Sequence, residues 1–288
     1  MMRDDGHSDK NFLQEPAMLV NAMEGQMLKT STYNAMPPDE TGHVPYSREE
    51  DGVWRDLMAR QMPAVQARMA APYLEGLKRL SMPADRVAQC NEISASLTKA
   101  TGWRVEPVPA LIGFGRFFGL LAEKCFPAAS FIRRREHFDY IEEPDIFHEI
   151  FGHTPLLTDP RFAAFSQAIG EAGLRAEKVD YAWLIRLYWF TIEFGLTREA
   201  GVLKGLGSGL ASSIAELNWA TSGQPELRPF DVLDILRTPY RIDILQPVYF
   251  VIDDLDLLFT AARRDLLADV AQARSLGLHA PKYPAKVA

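Results

Sequence analysis

Residues 143–155 read Glu143-Pro144-Asp145-Ile146-Phe147-His148-Glu149-Ile150-Phe151-Gly152-His153-Thr154-Pro155, and the separation of the two histidines decides how this part of the chain must fold. The stretch has one residue more than the H-E-x-x-H zinc motif, whose histidines sit four apart on one face of a helix. A spacing of five turns the second imidazole away by roughly 140° at about 3.6 residues per turn. Both rings therefore reach one ion only if the helix loosens between them. Gly152 permits that, since glycine tolerates backbone angles other residues avoid. Pro155 disfavours continuation of the helix. The spacing predicts a metal site at a helix end.

Two neutral imidazoles need a charge-balancing carboxylate from another buried element. Glu193, in the apolar run Leu187-Tyr188-Trp189-Phe190-Thr191-Ile192-Glu193-Phe194-Gly195-Leu196, is the candidate, because an unpaired carboxylate among such neighbours is costly. Arg186 and Arg198 are the alternative partners, but neither lies three or four residues away. Two histidines and one carboxylate form the facial triad of non-heme Fe(II) oxygenases. Three protein ligands and a water equally suit hydrolytic zinc, with Glu149 as general base, and spacing does not separate these metals. His7, His43, His137 and His279 read as ordinary surface or core histidines.

The 288 residues are 47% hydrophobic and 24% charged, with a formal net charge of −7. That composition fits a soluble globular enzyme with a substantial core and argues against nucleic-acid binding, the Arg133-Arg134-Arg135 run being too short for a basic face. Cys90 and Cys125 fit no CxxC pattern, so neither a disulfide framework nor cysteine zinc is expected. The N-terminus shows no secretory h-region and no run approaches the roughly 20 apolar residues of a membrane span. A cytoplasmic, non-membrane protein is expected.

Residues 1–45 lack periodicity and read as a poorly ordered extension to a domain covering 46–288. Ser47-Arg48-Glu49-Glu50 is a capping box leading into Val53, Trp54, Leu57 and Met58. Further helices are expected over 73–80, over 84–101 with Gly102 as stop, over 117–125, from an Asp159 cap, over 181–196 in the core, and over 212–220, 230–236 and 253–271. Short strands are expected at 103–108, 131–132 and 249–252. The fold class is mainly α with a few short β-strands, in a single domain.

Beyond the histidine block stand Thr101-Gly102-Trp103-Arg104-Val105, Pro109-Ala110-Leu111-Ile112, Asp139-Tyr140-Ile141, Arg186-Leu187-Tyr188-Trp189, the run from Thr238 to Pro247, and Gly277-Leu278-His279-Ala280-Pro281. From about Pro45 onward the chain resembles the aromatic amino acid hydroxylases, and among them the short bacterial phenylalanine 4-hydroxylases. The resemblance implies a monooxygenase with Fe(II) held by His148, His153 and Glu193. It also implies a tetrahydropterin co-substrate (tetrahydrobiopterin or a relative), O2, and conversion of L-phenylalanine to L-tyrosine. By the same resemblance Phe117 stacks on the pterin, Leu111 and Ile112 line its pocket, Glu149 is the pterin-side acid, and Tyr188 lies near the iron. Arg133 pairs with the amino-acid carboxylate, a role suited to a planar guanidinium. Tyr140, Pro144, Trp189 and Ser212 match the amino-acid pocket.

The chain departs from the family at Leu206-Gly207-Ser208-Gly209, where Tyr-Gly-Ala-Gly is frequent, and at Gly113 and Phe114. Ile242 stands where tyrosine hydroxylases tend to carry an acid, which argues against tyrosine as substrate. No tetramerisation helix is expected, implying a monomer or dimer without allosteric activation. The competing readings are the same chemistry on tryptophan or another ring position, a zinc hydrolase, and a non-catalytic sensor.

Overall fold

The computed structural model describes residues 33, 35–109, 112–139, 141 and 143–283. The capping box at Ser47 forms: the Glu50 N–H donates to the Ser47 hydroxyl at 3.2 Å and the Ser47 N–H to the Glu50 carboxylate at 2.7 Å. Two backbone donors at the helix start are thereby satisfied. The helix Arg48–Arg68 that follows buries Val53, Trp54, Leu57, Met58, Gln61 and Val65. Ahead of it, Val44 exchanges two hydrogen bonds with the Gln89 side chain, and Tyr33 is buried against Phe131.

Helix Ala71–Arg79 is followed by Cys90–Thr101, shorter than the expected 84–101. Residues 84–89 stay irregular because tertiary bonds hold them. The Val87 N–H donates to Asp51 at 2.9 Å, and Gln89 is tied to Val44. Gly102, at φ 78°, ends the helix as anticipated.

Strand β1 (Arg104–Val108) pairs in parallel with β2 (Cys125–Ala129), joined by helix Phe114–Ala122. The helix expected at 117–125 is thus shifted towards the N-terminus. The extended piece expected at 131–132 is displaced by β2, which lies just before it. Asp159 caps helix Pro160–Arg175, and helix Lys178–Tyr188 continues into the core. The remaining sheet has the order β4-β3-β6-β5, built from β3 (Leu196–Glu199), β4 (Val202–Gly205), β5 (Glu226–Pro229) and β6 (Val248–Val251). Of these, the sequence reading anticipates only β6. The expected 253–271 helix is broken into Asp256–Ala262 and Leu266–Leu276. Trp54, Tyr73, Trp103, Phe147, Phe151, Phe162, Phe165, Phe190 and Phe250 fill the core. Mainly helical architecture with few short strands matches the expectation.

The histidine segment Phe147–His153 is wound as a π-helix, whose bonds run from residue i to i+5. It does not end at Pro155. It passes directly into an α-helical turn, Thr154–Leu157, with Pro155 in its first turn, where the missing N–H does least harm. The Phe151 carbonyl, which an N–H at position 155 would otherwise reach, accepts the Tyr73 hydroxyl instead. Helix Ala71–Arg79 can come this close because residue 76 is glycine; a Cβ there would stand 2.1 Å from the Pro155 carbonyl oxygen.

Replacing Tyr73 by phenylalanine strands the Phe151 carbonyl in the core, which costs about 1–3 kcal/mol. Urea unfolding of Tyr73→Phe should show a correspondingly lower midpoint at unchanged slope; an unchanged midpoint would mean that the hydroxyl is dispensable.

Candidate metal centre

The π-winding solves the spacing problem by bringing residues five apart onto one face. His148 and His153 point their Nε2 atoms at a common point, 3.2 Å apart. Gly152 has an ordinary backbone conformation, not a special φ. Its use is space, since a Cβ there would meet the Ser208 carbonyl oxygen at 3.0 Å.

Glu193 comes from a second π-segment, Trp189–Glu193, which extends helix Lys178–Tyr188. The helix expected over 181–196 therefore changes winding at Trp189. The Phe194 N–H reaches back five residues to the Trp189 carbonyl at 2.9 Å, and the Thr191 hydroxyl donates to the Leu187 carbonyl at 2.5 Å. Glu193 Oε1 lies 3.2 Å from His153 Nε2, and Oε2 lies 3.7 Å from His148 Nε2. Neither proposed arginine partner takes it: Arg198 pairs with Asp253 at 3.1 Å, and the Arg186 guanidinium lies over the Trp183 ring.

Each imidazole is held from behind. His148 Nδ1 meets Ser212 Oγ at 2.8 Å, while that hydroxyl donates to the Ser208 carbonyl at 3.0 Å. With its single proton spent, Ser212 accepts from Nδ1–H, so the lone pair of His148 is on Nε2. The His153 Nδ1 faces the Tyr188 hydroxyl at 3.3 Å, and its ring packs on Phe126 of β2. Serines 208 and 212 open and close one short helix, Ser208–Ser212. That helix is pressed against the glutamate segment. A Cβ on Gly207 would lie 2.0 Å from the Glu193 carbonyl oxygen, and one on Gly209 would lie 2.6 Å from the Phe194 ring. On its far side the Gln61 amide donates to the Ala211 carbonyl at 2.8 Å.

A second carboxylate competes for the same point. The ligand atoms of His148, Glu149 and His153 lie within 4.8 Å of one another, but Glu149 Oε2 comes no nearer to His153 Nε2 than 4.0 Å. The electrostatics separate the two acids. Burial, reinforced by Glu193 and Asp145, pushes Glu149 well above the ordinary carboxylate range. Burial also opposes the charge on Glu193, yet His153, His148 and the Ser208 hydroxyl outweigh it and bring its pKa to about 2. Burial lowers His148 to about 4, against the pull of Glu193, so this imidazole is neutral at physiological pH. Ligation requires neutral imidazole and ionised carboxylate, and Glu193 is the acid that meets the requirement.

Arg133 is buried, and its Nε and Nη2 bind Asp145 at 2.7 and 2.9 Å. Asp145 also accepts the backbone N–H of His148 at 3.1 Å. Sequence reasoning missed Asp145, although its place three residues before the first histidine, at a helix start, was a usable signal. Phe117 is half-buried, edge-on to Tyr188 with ring centroids 5.4 Å apart. Trp189 stacks on Tyr240 at 4.3 Å. Pro144 and Ile112 are half-buried, next to Asp145 and ahead of helix Phe114–Ala122 respectively. Ser212 contacts His148. Leu111 and Tyr140 lie outside the described residues.

A family model described as biopterin-dependent aromatic amino acid hydroxylase matches residues 23–269. The chain belongs to this family. As a member of it, the chain is 48% identical over 255 residues to a phenylalanine-4-hydroxylase of Vibrio cholerae, covering 88% of each sequence. Its fold matches the apo structure of the cold-active phenylalanine hydroxylase of Colwellia psychrerythraea with TM-score 0.84 and 48% identity, over 87% of this chain and 97% of that one. It also matches Chromobacterium violaceum phenylalanine hydroxylase with bound oxidised Fe(III), with TM-score 0.79 and 35% identity over 91% and 94% of the two chains. Biopterin-dependent hydroxylation of an aromatic amino acid is therefore the reaction class, and the hydrolase and sensor readings fall away. No described helix is long and apolar enough to cross a membrane.

Arg133 and its backbone N–H, with that of His148, outweigh burial and hold Asp145 below the usual carboxylate range. The stabilisation is present above about pH 4, the unfolded carboxylate value, and is lost as pH falls through the lower folded value. Asp145→Asn leaves a buried guanidinium without its counter-charge and should lose about 3–5 kcal/mol at neutral pH. Unfolding midpoints from pH 7 to pH 3 should fall less steeply for the variant; parallel curves would show that the pair contributes nothing.

Proposed function

We propose that the chain converts L-phenylalanine to L-tyrosine with O2 and a tetrahydropterin, tetrahydrobiopterin or a close relative, at an Fe(II) held by His148, His153 and Glu193. The observation that carries this reading is the convergence of two imidazole Nε2 atoms and the Glu193 carboxylate within 3.2 to 3.7 Å. Both imidazoles are fixed on their far nitrogens, and the donor set suits Fe(II). The phenylalanine-4-hydroxylase name of the Vibrio relative and the Fe(III) in the Chromobacterium structure support the choice of substrate and metal.

Iron and the pterin together supply the activated oxygen. The protein's part is to bind, orient and exclude water. Phe117, half-exposed and braced edge-on by Tyr188, offers a ring face to the pterin, with Leu111 and Ile112 along the same pocket and Glu149 on its pterin side. Arg133, braced by Asp145, receives the amino-acid carboxylate. Tyr140, Pro144, Trp189 and Ser212 line the amino-acid pocket, Ser212 also fixing the His148 tautomer. Residues 46–288 form the catalytic domain and 1–45 an extension to it. Two buried, unbridged cysteines, Cys90 and Cys125, fit a reducing cytoplasm.

Incubation of the iron-loaded protein with tetrahydrobiopterin, O2 and phenylalanine should yield tyrosine in step with pterin oxidation. Absence of tyrosine, or faster turnover of tryptophan, would overturn the substrate assignment. Glu193→Gln should abolish both product and bound iron while leaving the fold intact by circular dichroism.

Removing the Phe117 ring forfeits a stacking contact worth about 0.5–1.5 kcal/mol. Phe117→Ala should therefore raise the KM for pterin by up to about tenfold and leave the KM for phenylalanine unchanged. The opposite split would remove Phe117 from the pterin pocket.

A further inference from the structure

The bond from the Ser208 hydroxyl to Glu193 Oε2, at 2.6 Å, belongs to neither the predicted ligand set nor the predicted pockets. We propose that Ser208 is a positioning residue that reserves Oε2 of Glu193 and so presents a single carboxylate oxygen, Oε1, to the metal. The inference rests on the iron-site reading above.

A carboxylate beside two imidazoles has two equivalent oxygens and free rotation about its terminal bond, so something must choose between them. Ser208 is almost fully buried, 1% exposed, and its Cβ sits over Gly152, where an added Cβ would approach it to 3.1 Å. That hydroxyl has one proton and two acceptors in reach, Glu193 Oε2 at 2.6 Å and the Ile192 carbonyl at 3.3 Å. The shorter, charge-assisted bond to the carboxylate wins. Oε1 is left as the nearer oxygen, 3.2 Å from His153 Nε2, while the hydrogen-bonded Oε2 stands 3.7 Å from His148 Nε2.

The same residue's carbonyl accepts the Ser212 hydroxyl, which holds His148. One turn of helix thus sets both the rotation of the carboxylate and the tautomer of the first histidine. Alanine, which stands at this position in the Tyr-Gly-Ala-Gly form of the segment, has no hydroxyl to do the first of these. A glutamate held by one oxygen leaves more of the open side of the metal for co-substrates than one free to bind through two.

The test is titration of the metal-free full-length protein with Co(II), followed by its visible ligand-field absorption and by the metal-induced rise in melting temperature. Ser208→Ala should melt close to the parent without metal, bind Co(II) about tenfold more weakly, and show a changed band intensity as the carboxylate rotates. Ser208→Thr keeps the hydroxyl and should restore the parent spectrum. An alanine variant with parental affinity and spectrum would overturn the proposal. So would folded alanine and threonine variants that are equally impaired, since packing against Gly152 would then be the cause. A parent protein that binds no Co(II) would instead overturn the iron-site reading itself.

Discussion

The i→i+5 winding of the two ligand-bearing segments is the constraint on which the site depends. In an α-helix His148 and His153 would diverge by roughly 140°; in the π-register their Nε2 atoms stand 3.2 Å apart. Such winding is rare because it leaves main-chain groups out of step with their usual partners. Here hydroxyl side chains take up the mismatch. Tyr73 serves the Phe151 carbonyl and Thr191 the Leu187 carbonyl, while the Ile150 carbonyl accepts both the backbone N–H and the hydroxyl of Thr154. The glutamate is delivered by the same device, so the ligand set is assembled from two irregular segments, one leading into the short turn Thr154–Leu157 and the other extending helix Lys178–Tyr188.

Asp145 joins the parts of the site that handle different reactants. One carboxylate neutralises Arg133, the residue proposed for the amino-acid carboxylate, and caps the segment that begins the metal ligands. The two carboxyl groups beside the histidines are driven in opposite directions by their surroundings, Glu193 towards the charged form and Glu149 towards the neutral one. Burial acts on both; neighbouring imidazoles and the Ser208 hydroxyl decide the difference.

What was legible in the sequence is what local chemistry dictates. The Ser47 capping box, the Asp159 cap and the Gly102 stop depend on residues within three or four positions, and they appear where expected. That His148, His153 and Glu193 come together was legible because a buried acid and a paired histidine motif each demand an explanation. Strands β3, β4 and β5 were not, since four-residue segments such as Leu196-Thr197-Arg198-Glu199 carry no alternation and are specified by their partners in the sheet. Pro155 misled for a similar reason: the donor replacing its missing bond is Tyr73, about eighty residues earlier. Asp145 and Ser208 went unassigned because a hydrogen-bonding side chain declares its role only through what the fold sets opposite it.

Gly152, Gly207 and Gly209 have no side chain to offer a reactant, yet a Cβ on Gly207 or Gly209 would collide with the glutamate-bearing segment, and one on Gly152 would crowd Ser208. A mutational map of this protein would therefore mark as intolerant positions that a search for reactive side chains passes over. Damage at any of the three would displace the Ser208–Ser212 helix from its neighbours, disturbing the supports of His148 and Glu193 together. The resulting variants would retain their helices and core while losing their hold on metal, a defect of assembly expressed as a defect of chemistry.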